Sequence, residues 1–226
     1  MFLSNIDIVK ALKNGALTIE PFPVESNINE TSVDLRLDRV EEARIWDISK
    51  HGEESAIRGD EPNELKIGRF DYRRFSQGML IPPPGWNRTE SPLVSRRGIA
   101  VIVKPHGFLL WQTKEVVGSE KGTLICFVEG KSTRARTGIL VHLTAPTIHA
   151  GWKGKITLEI VNLGPFDLVL HEDDVIAQLT VAQVARKPSK TGRSATNGQI
   201  AVTGGPNASP VPRKRFQSLV SKRKRR

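Results

Sequence analysis

Cysteine is nearly missing from this chain. Of 226 residues, one is cysteine (Cys126) and one is tyrosine (Tyr72). A single thiol excludes an internal disulfide framework and a multi-cysteine zinc site. Aromatic residues make up only 6%. No apolar run approaches the length that spans a bilayer, and the N-terminus lacks the pattern of a secretory leader. The expectation is a reducing cytoplasm and no membrane partner. Acidic residues are absent from one stretch: residues 186–226 hold 12 Lys/Arg and no Asp/Glu. The other residues carry 22 basic and 24 acidic side chains, so the formal charge of +10 resides in the tail.

Glycine and proline are plentiful, at 19 and 14. Residues 5–14 carry apolar positions at Ile6, Ile8, Val9, Ala11 and Leu12, which predicts a short helix capped by Ser4 or Asn5 and ended by Gly15. Beyond it the chain reads as β. Branched and aromatic runs separated by turn residues predict strands over Ser32–Leu37, Ile99–Val103, Gly107–Trp111, Leu124–Val128, Ile139–Leu143, Lys155–Val161, Phe166–Leu170 and Val175–Val181. Many short strands at near-regular spacing imply a mainly β jelly roll or barrel. Residues 43–98 are polar and hard to assign, with Phe70 and Trp86 as candidate anchors. Residues 186–226 are poor in apolar side chains and predict disorder. The domain reading is one body over 1–185 and a basic tail over 186–226.

The stretch Glu129-Gly-Lys-Ser-Thr-Arg-Ala-Arg-Thr-Gly138 is the most informative. Two arginines, a lysine and hydroxyls between glycines suit a loop that holds an anionic, phosphate-like group. On an arbitrary chain such a cluster is more often a charged surface turn. About twenty residues on, Glu159 interrupts the apolar run Ile156-Thr-Leu-Glu-Ile-Val161. Alternation puts Ile156, Leu158 and Ile160 on one face, and Thr157, Glu159 and Val161 on the other. A carboxylate there is costly unless something uses it. Together the two features suggest a nucleotide site with a general acid/base. Zinc-dependent nucleobase deamination needs several cysteines as ligands, which this chain lacks. Trp152 and Phe166 read as core.

These residues resemble the dCTP deaminase family of the trimeric dUTPase-like superfamily. Its phosphate motif, roughly Gly-Arg-Ser-Ser-x-Ala-Arg-x-Gly, is similar to Gly130-Lys-Ser-Thr-Arg-Ala-Arg-Thr-Gly138. Its catalytic strand, Gly-x-x-Gly-x-Ile-x-Leu-Glu, is similar to Gly151-Trp-Lys-Gly-Lys-Ile-Thr-Leu-Glu159. The opening helix resembles Ile6–Gly15 and the first core strand resembles Asn29–Leu37. The resemblance covers about residues 1–183 and implies a dUTPase-like β-barrel, a homotrimer with sites between subunits, and conversion of dCTP to dUTP and ammonia. By it, Glu159 is the proton-transfer group, Ser132 and Arg136 are site residues, and Ala145 orients water through its carbonyl. Lys131, Thr133, Arg134, Ala135, His149, Thr157, Leu158 and Gln178 are further substrate-binding candidates. Gln199 belongs to a lid expected near 194–200. Mg²⁺ is expected on the substrate phosphates. Lys131 stands where the family has arginine, and Thr147 where some members have arginine. His149 stands where many members have aspartate, which disfavours dUTP hydrolysis. Rival readings are a dUTP pyrophosphatase, a bifunctional deaminase–pyrophosphatase, and a degenerate nucleotide-binding relative. The tail clusters Arg213-Lys-Arg215 and Lys222–Arg226 are either a solvated end or a weak contact for nucleic acid or another polyanion.

Overall fold

The structure is a computed structural model and describes residues 1–47, 65, 67–69, 72, 76, 79–89, 91–119 and 121–188. The predicted helix forms as α1 (Asn5–Lys13). Ser4 is its cap: the hydroxyl accepts the Asp7 N–H at 3.4 Å and donates to the Asp7 carboxylate at 2.9 Å. Asp7 in the first turn and Lys10 and Lys13 in the last complement the helix dipole. Gly15 follows at φ 66°, a left-handed conformation in which a side chain costs about 1–2 kcal/mol. Ile8, Ala11 and Leu12 are buried.

Thirteen strands follow among the described residues. They are β1 (Thr18–Glu20), β2 (Ser32–Arg36), β3 (Ile45–Trp46), β4 (Leu80–Ile81), β5 (Val94–Arg97), β6 (Ala100–Val103) and β7 (Phe108–Gly118). Then come β8 (Leu124–Gly130), β9 (Ile139–Leu140), β10 (Thr147–Ile148), β11 (Lys153–Asn162), β12 (Leu168–His171) and β13 (Val175–Gln183). They form sheets in the orders β1-β7-β11-β9, β10-β8-β13-β2 and β12-β6-β5, with a β3-β4 ribbon. Every named strand pairing is antiparallel. The inward faces of the three larger sheets share one apolar cluster that includes Trp111, Leu158, Val33, Leu179 and Val101. Burying a side chain of this size is worth about 1.5–3 kcal/mol. This is the mainly β jelly roll that the spacing predicts.

Four strands exceed their predicted lengths, β8 and β13 by two residues each at their C-terminal ends and β7 and β11 for reasons that their partners show. The Gly107–Trp111 run continues as β7 to Gly118, because half-exposed Gln112, Lys114 and Val116 alternate with buried Trp111, Thr113, Glu115 and Val117, and the buried Glu115 is paired. Arg36 supplies the Glu115 partner: its Nε donates to Oε1 at 2.8 Å and its backbone N–H to Oε2 at 2.9 Å. Strand β11 starts two residues early and carries a bulge between Lys155 and Thr157, where the Ile156 N–H donates to the Thr113 hydroxyl at 3.0 Å. One expectation is overturned. Phe166 is 67% exposed rather than core. It sits in a turn whose carbonyl is held by Asn162 Nδ2 at 2.7 Å, so backbone pairing, not apolar burial, fixes that segment. Trp152 does pack against the core. Phe70 lies outside the described residues.

Candidate active site

The glycine-bounded stretch leaves β8 at Gly130 and makes one helical turn, Ser132–Ala135, with Lys131 as its cap. The Ala135 N–H donates to the Lys131 carbonyl at 2.8 Å, and the Gly138 N–H to the Ala135 carbonyl at 2.9 Å. Ser132, Thr133, Arg134, Ala135 and Arg136 are all exposed. The turn therefore presents two guanidinium groups and two hydroxyls to solvent, a set of donors matched to phosphate oxygens.

Lys131 is placed differently. Its ammonium lies 2.5 Å from Asp34 Oδ1, on β2. Asn29 Nδ2 donates to the same oxygen at 2.7 Å. Ser32 Oγ donates to Gln178 Oε1 at 3.0 Å, and Gln178 Nε2 donates to the Gly130 carbonyl at 3.2 Å. Gln178 thus ties β2 and β13 to the entry of the loop. Asn29, Ser32 and Asp34 form the floor beneath it. Sequence reasoning found their strand but not this role, because the Lys131–Asp34 pair spans 97 residues. The only local signal was a carboxylate, Asp34, inside an apolar run.

The exit of the loop is fixed to β11. Gly138 has φ 91°, and a Cβ there would sit 2.3 Å from the Gly164 nitrogen. The Leu163 N–H donates to the Gly138 carbonyl at 2.8 Å. Strand β9 then pairs with β11 at Leu140–Val161 and Ile139–Asn162. Glu159 lies two residues before Val161 on the same face. It is half-buried, and its Oε2 accepts the Leu143 N–H at 3.3 Å. The predicted alternation holds: Ile156, Leu158 and Ile160 are buried at 3%, 0% and 0% exposure, and Glu159 is on the opposite face. Leu158 therefore directs its side chain into the core, while Thr157 shares the Glu159 face. Burial, and then the nearby Glu159 carboxylate, push the Tyr72 phenol above its ordinary value. Tyr72 was noted in the sequence only as the single tyrosine.

Ala145 is exposed in the loop after β9, and His149 is exposed after β10. Strand β10 pairs with β8 at Cys126 and Phe127, which precede Gly130 and the loop. Among the described residues no hydrogen bond or ion pair joins Glu159 to Ser132, Thr133, Arg134 or Arg136. Gln199, the 194–200 lid and the tail clusters lie outside the described residues.

A family profile described as dCTP deaminase-like matches residues 2–184. The chain belongs to that family. A dCTP deaminase of Shewanella baltica is 29% identical over 199 residues, 86% of this chain and 92% of that protein. One from a Marinomonas species is 31% identical over 173 residues, 75% of this chain and 77% of the other. The dUMP-forming dCTP deaminase of Methanobrevibacter smithii is 28% identical over 177 residues, covering 78% and 77% of the two chains. Among solved structures, the 2'-deoxycytidine 5'-triphosphate deaminase of Agrobacterium tumefaciens matches with a TM-score of 0.51 at 16% identity. That match covers 81% of this chain but 49% of the solved one, so this chain spans about half its length. At that identity the likeness shows a shared fold alone. The family-like stretches singled out in the sequence are the phosphate loop and the strand carrying Glu159. Both fall inside the profile match.

Proposed function

We propose that this dCTP deaminase-like chain deaminates dCTP to dUTP and ammonia, with Glu159 moving the proton. The observation that carries the reading is a half-buried carboxylate on the non-core face of β11, near the strand end to which the cationic loop is fastened. Arg136 and Ser132 hold the triphosphate, with Thr133 and Arg134 beside them. Glu159 takes a proton from water, and the hydroxide adds to C4 of cytosine. The same carboxyl then delivers the proton to the exocyclic nitrogen. Ammonia leaves as the C4–N bond breaks, and the proton of the C4 hydroxyl passes to N3 as the carbonyl forms. The Ala145 carbonyl orients the attacking water. Mg²⁺, when bound, neutralises charge on the phosphates. The exposed turn offers it no carboxylate, and Asp34 is paired with Lys131, so the donor set fits a metal carried by phosphate oxygens and water.

The reading includes a homotrimer in the cytoplasm, with each site completed between subunits. Two features support it: Glu159 and the loop cations do not meet within one chain, and Leu140, Leu143 and Leu163 are exposed around the loop exit. A second reading, deamination followed by hydrolysis to dUMP, draws on the name of the Methanobrevibacter relative. His149, where an aspartate would serve that step, opposes it. Incubation with dCTP and Mg²⁺, followed by separation of dCTP, dUTP and dUMP, decides between them. Equal amounts of dUTP and ammonia are expected. Accumulation of dUMP favours the bifunctional reading. Unchanged dCTP overturns both and leaves a nucleotide-binding relative.

A further inference from the structure

Three strands register beneath the cationic loop. Asp34 on β2 is the partner of Gln178 on β13, and Gln178 is the partner of Glu129 near the end of β8. Val33, Leu35, Leu179 and Val128, their neighbours along these strands, are all buried. Alternation therefore puts Asp34, Gln178 and Glu129 in one row on the face away from the core. The loop leaves the sheet at the end of this row. Two contacts fasten its entry. Gln178 Nε2 donates to the Gly130 carbonyl at 3.2 Å, and the Lys131 ammonium lies 2.5 Å from Asp34 Oδ1. Both partners of the second contact are largely shielded, with side chains 23% and 12% exposed. Beyond Lys131 the turn has no such support. Among the described residues, the side chains of Ser132, Thr133, Arg134 and Arg136 make no hydrogen bond or ion pair.

From this arrangement we infer that Asp34 is a positioning residue for the phosphate loop: it holds Lys131, and through Lys131 the turn that presents Ser132 and Arg136. The inference rests on the reading of this loop as the phosphate site of the deaminase. A carboxylate repels a phosphate, so Asp34, with Lys131 bound to it, serves an anion site only indirectly. Asn29 Nδ2 donates to the same Asp34 oxygen at 2.7 Å, so the carboxylate is fixed before any ligand arrives. The Lys131 carbonyl accepts the Ala135 N–H at 2.8 Å, which ties the turn back onto Lys131. A residue pinned at both its side chain and its carbonyl has little freedom to swing, so the turn starts from one place. At the far end Gly138 is fixed against Gly164. With both ends held, the donors between them are ordered in advance, and binding need not supply that order. Removing one partner of a shielded ion pair also leaves the other charge uncompensated.

The test measures binding of tripolyphosphate by calorimetry to the full chain, to Asp34→Asn, to Lys131→Met and to the double variant. Charge alone forecasts that Asp34→Asn tightens binding, that Lys131→Met loosens it, and that the double variant returns near wild type. The tether forecasts otherwise. Each single substitution should weaken tripolyphosphate binding about tenfold, and the double variant should be no weaker than either, because the two residues act as one unit. Unchanged or tighter binding in Asp34→Asn, or a double variant near wild type, overturns the inference. In turnover, Asp34→Asn should raise KM for dCTP about tenfold and leave kcat within about twofold, since the proton-transfer group is untouched. An equal loss of deoxycytidine binding would mean a general disturbance of the fold and overturns the inference as well. A wild-type chain that does not bind tripolyphosphate refutes the phosphate reading of the loop, and the inference with it. The tether pattern in a chain that does not deaminate dCTP counts against the deaminase reading and upholds the role of Asp34.

Discussion

At the scale of single residues, the roles proposed for Glu159 and Arg136 are separable by substitution. Glu159→Gln preserves shape and loses the proton acceptor, so dCTP turnover should fall by roughly 10² to 10⁴. Binding of dCTP should survive, as calorimetry would show. Turnover within a few-fold of wild type would remove Glu159 from the mechanism. Arg136 is exposed and reaches only a ligand that comes to it. Arg136→Ala should weaken dCTP binding by about 1.5–3 kcal/mol, the worth of one charge-assisted contact. Deoxycytidine, which has no phosphate, should bind equally to both proteins. Equal losses for nucleotide and nucleoside would mean that the substitution disturbs the fold. Lys131 does not belong with Arg136 in this respect. Its ammonium neutralises Asp34, so it shapes the loop from beneath.

At the scale of elements, the contact between Gly138 and Gly164 sets where the loop meets β11. A Cβ on Gly164 would lie 1.9 Å from the Thr137 carbonyl oxygen, and one on Gly138 would meet backbone at 2.3 Å. Neither clash involves a side chain that can rotate away. Gly138→Ala also forces a left-handed conformation on alanine. A loss on the order of 2–4 kcal/mol is expected. At this chain length that lowers Tm by roughly 5–15 °C in a thermal melt. An unchanged Tm would mean that the loop exit and the turn after β11 are not in contact. The long β7–β11 ladder is the rigid partner in this arrangement, and the loop is the part that must be fastened to it.

At the scale of the whole molecule, the buried thiol and the basic tail make opposite tests. Burial pushes the Cys126 thiol up to about 12 from an ordinary 9.0. The folded protein keeps a proton that the unfolded chain releases. This contribution is intact below the ordinary thiol value and is lost as pH rises toward the folded one, at about 1.4 kcal/mol per pKa unit. Urea midpoints should fall with rising alkaline pH, and less steeply in Cys126→Ala. Equal slopes in the two proteins would refute the assignment. The tail carries the excess charge, so truncation after Ala185 should abolish any DNA or RNA affinity. That affinity should itself weaken steeply with salt, through counterion release. If residues 194–200 close the site, the same truncation should raise KM or stop turnover, while a cut after Ala208 should spare both. Full activity after the longer cut would take Gln199 out of the site.

The helix, the alternation around Glu159 and the cationic loop were legible in the sequence because each depends on neighbours within a few residues. Ser4 caps a turn three residues away, and Ile156, Leu158 and Ile160 are buried because a strand turns every second side chain inward. Family resemblance supplied the roles for Ser132, Arg136 and Glu159. What stayed hidden depends on partners far along the chain. The length of β7 required Arg36 to neutralise Glu115 across 79 residues. The engagement of Lys131 by Asp34 arises only when β2 and the end of β8 are brought together in one sheet. Phe166 shows the same limit from the other side: an apolar residue in an apolar-looking run stays exposed because Asn162 fixes its backbone turn. Periodicity and motif chemistry are local and can be read in order; which charge meets which, and which face is covered, is set by the packing of sheets.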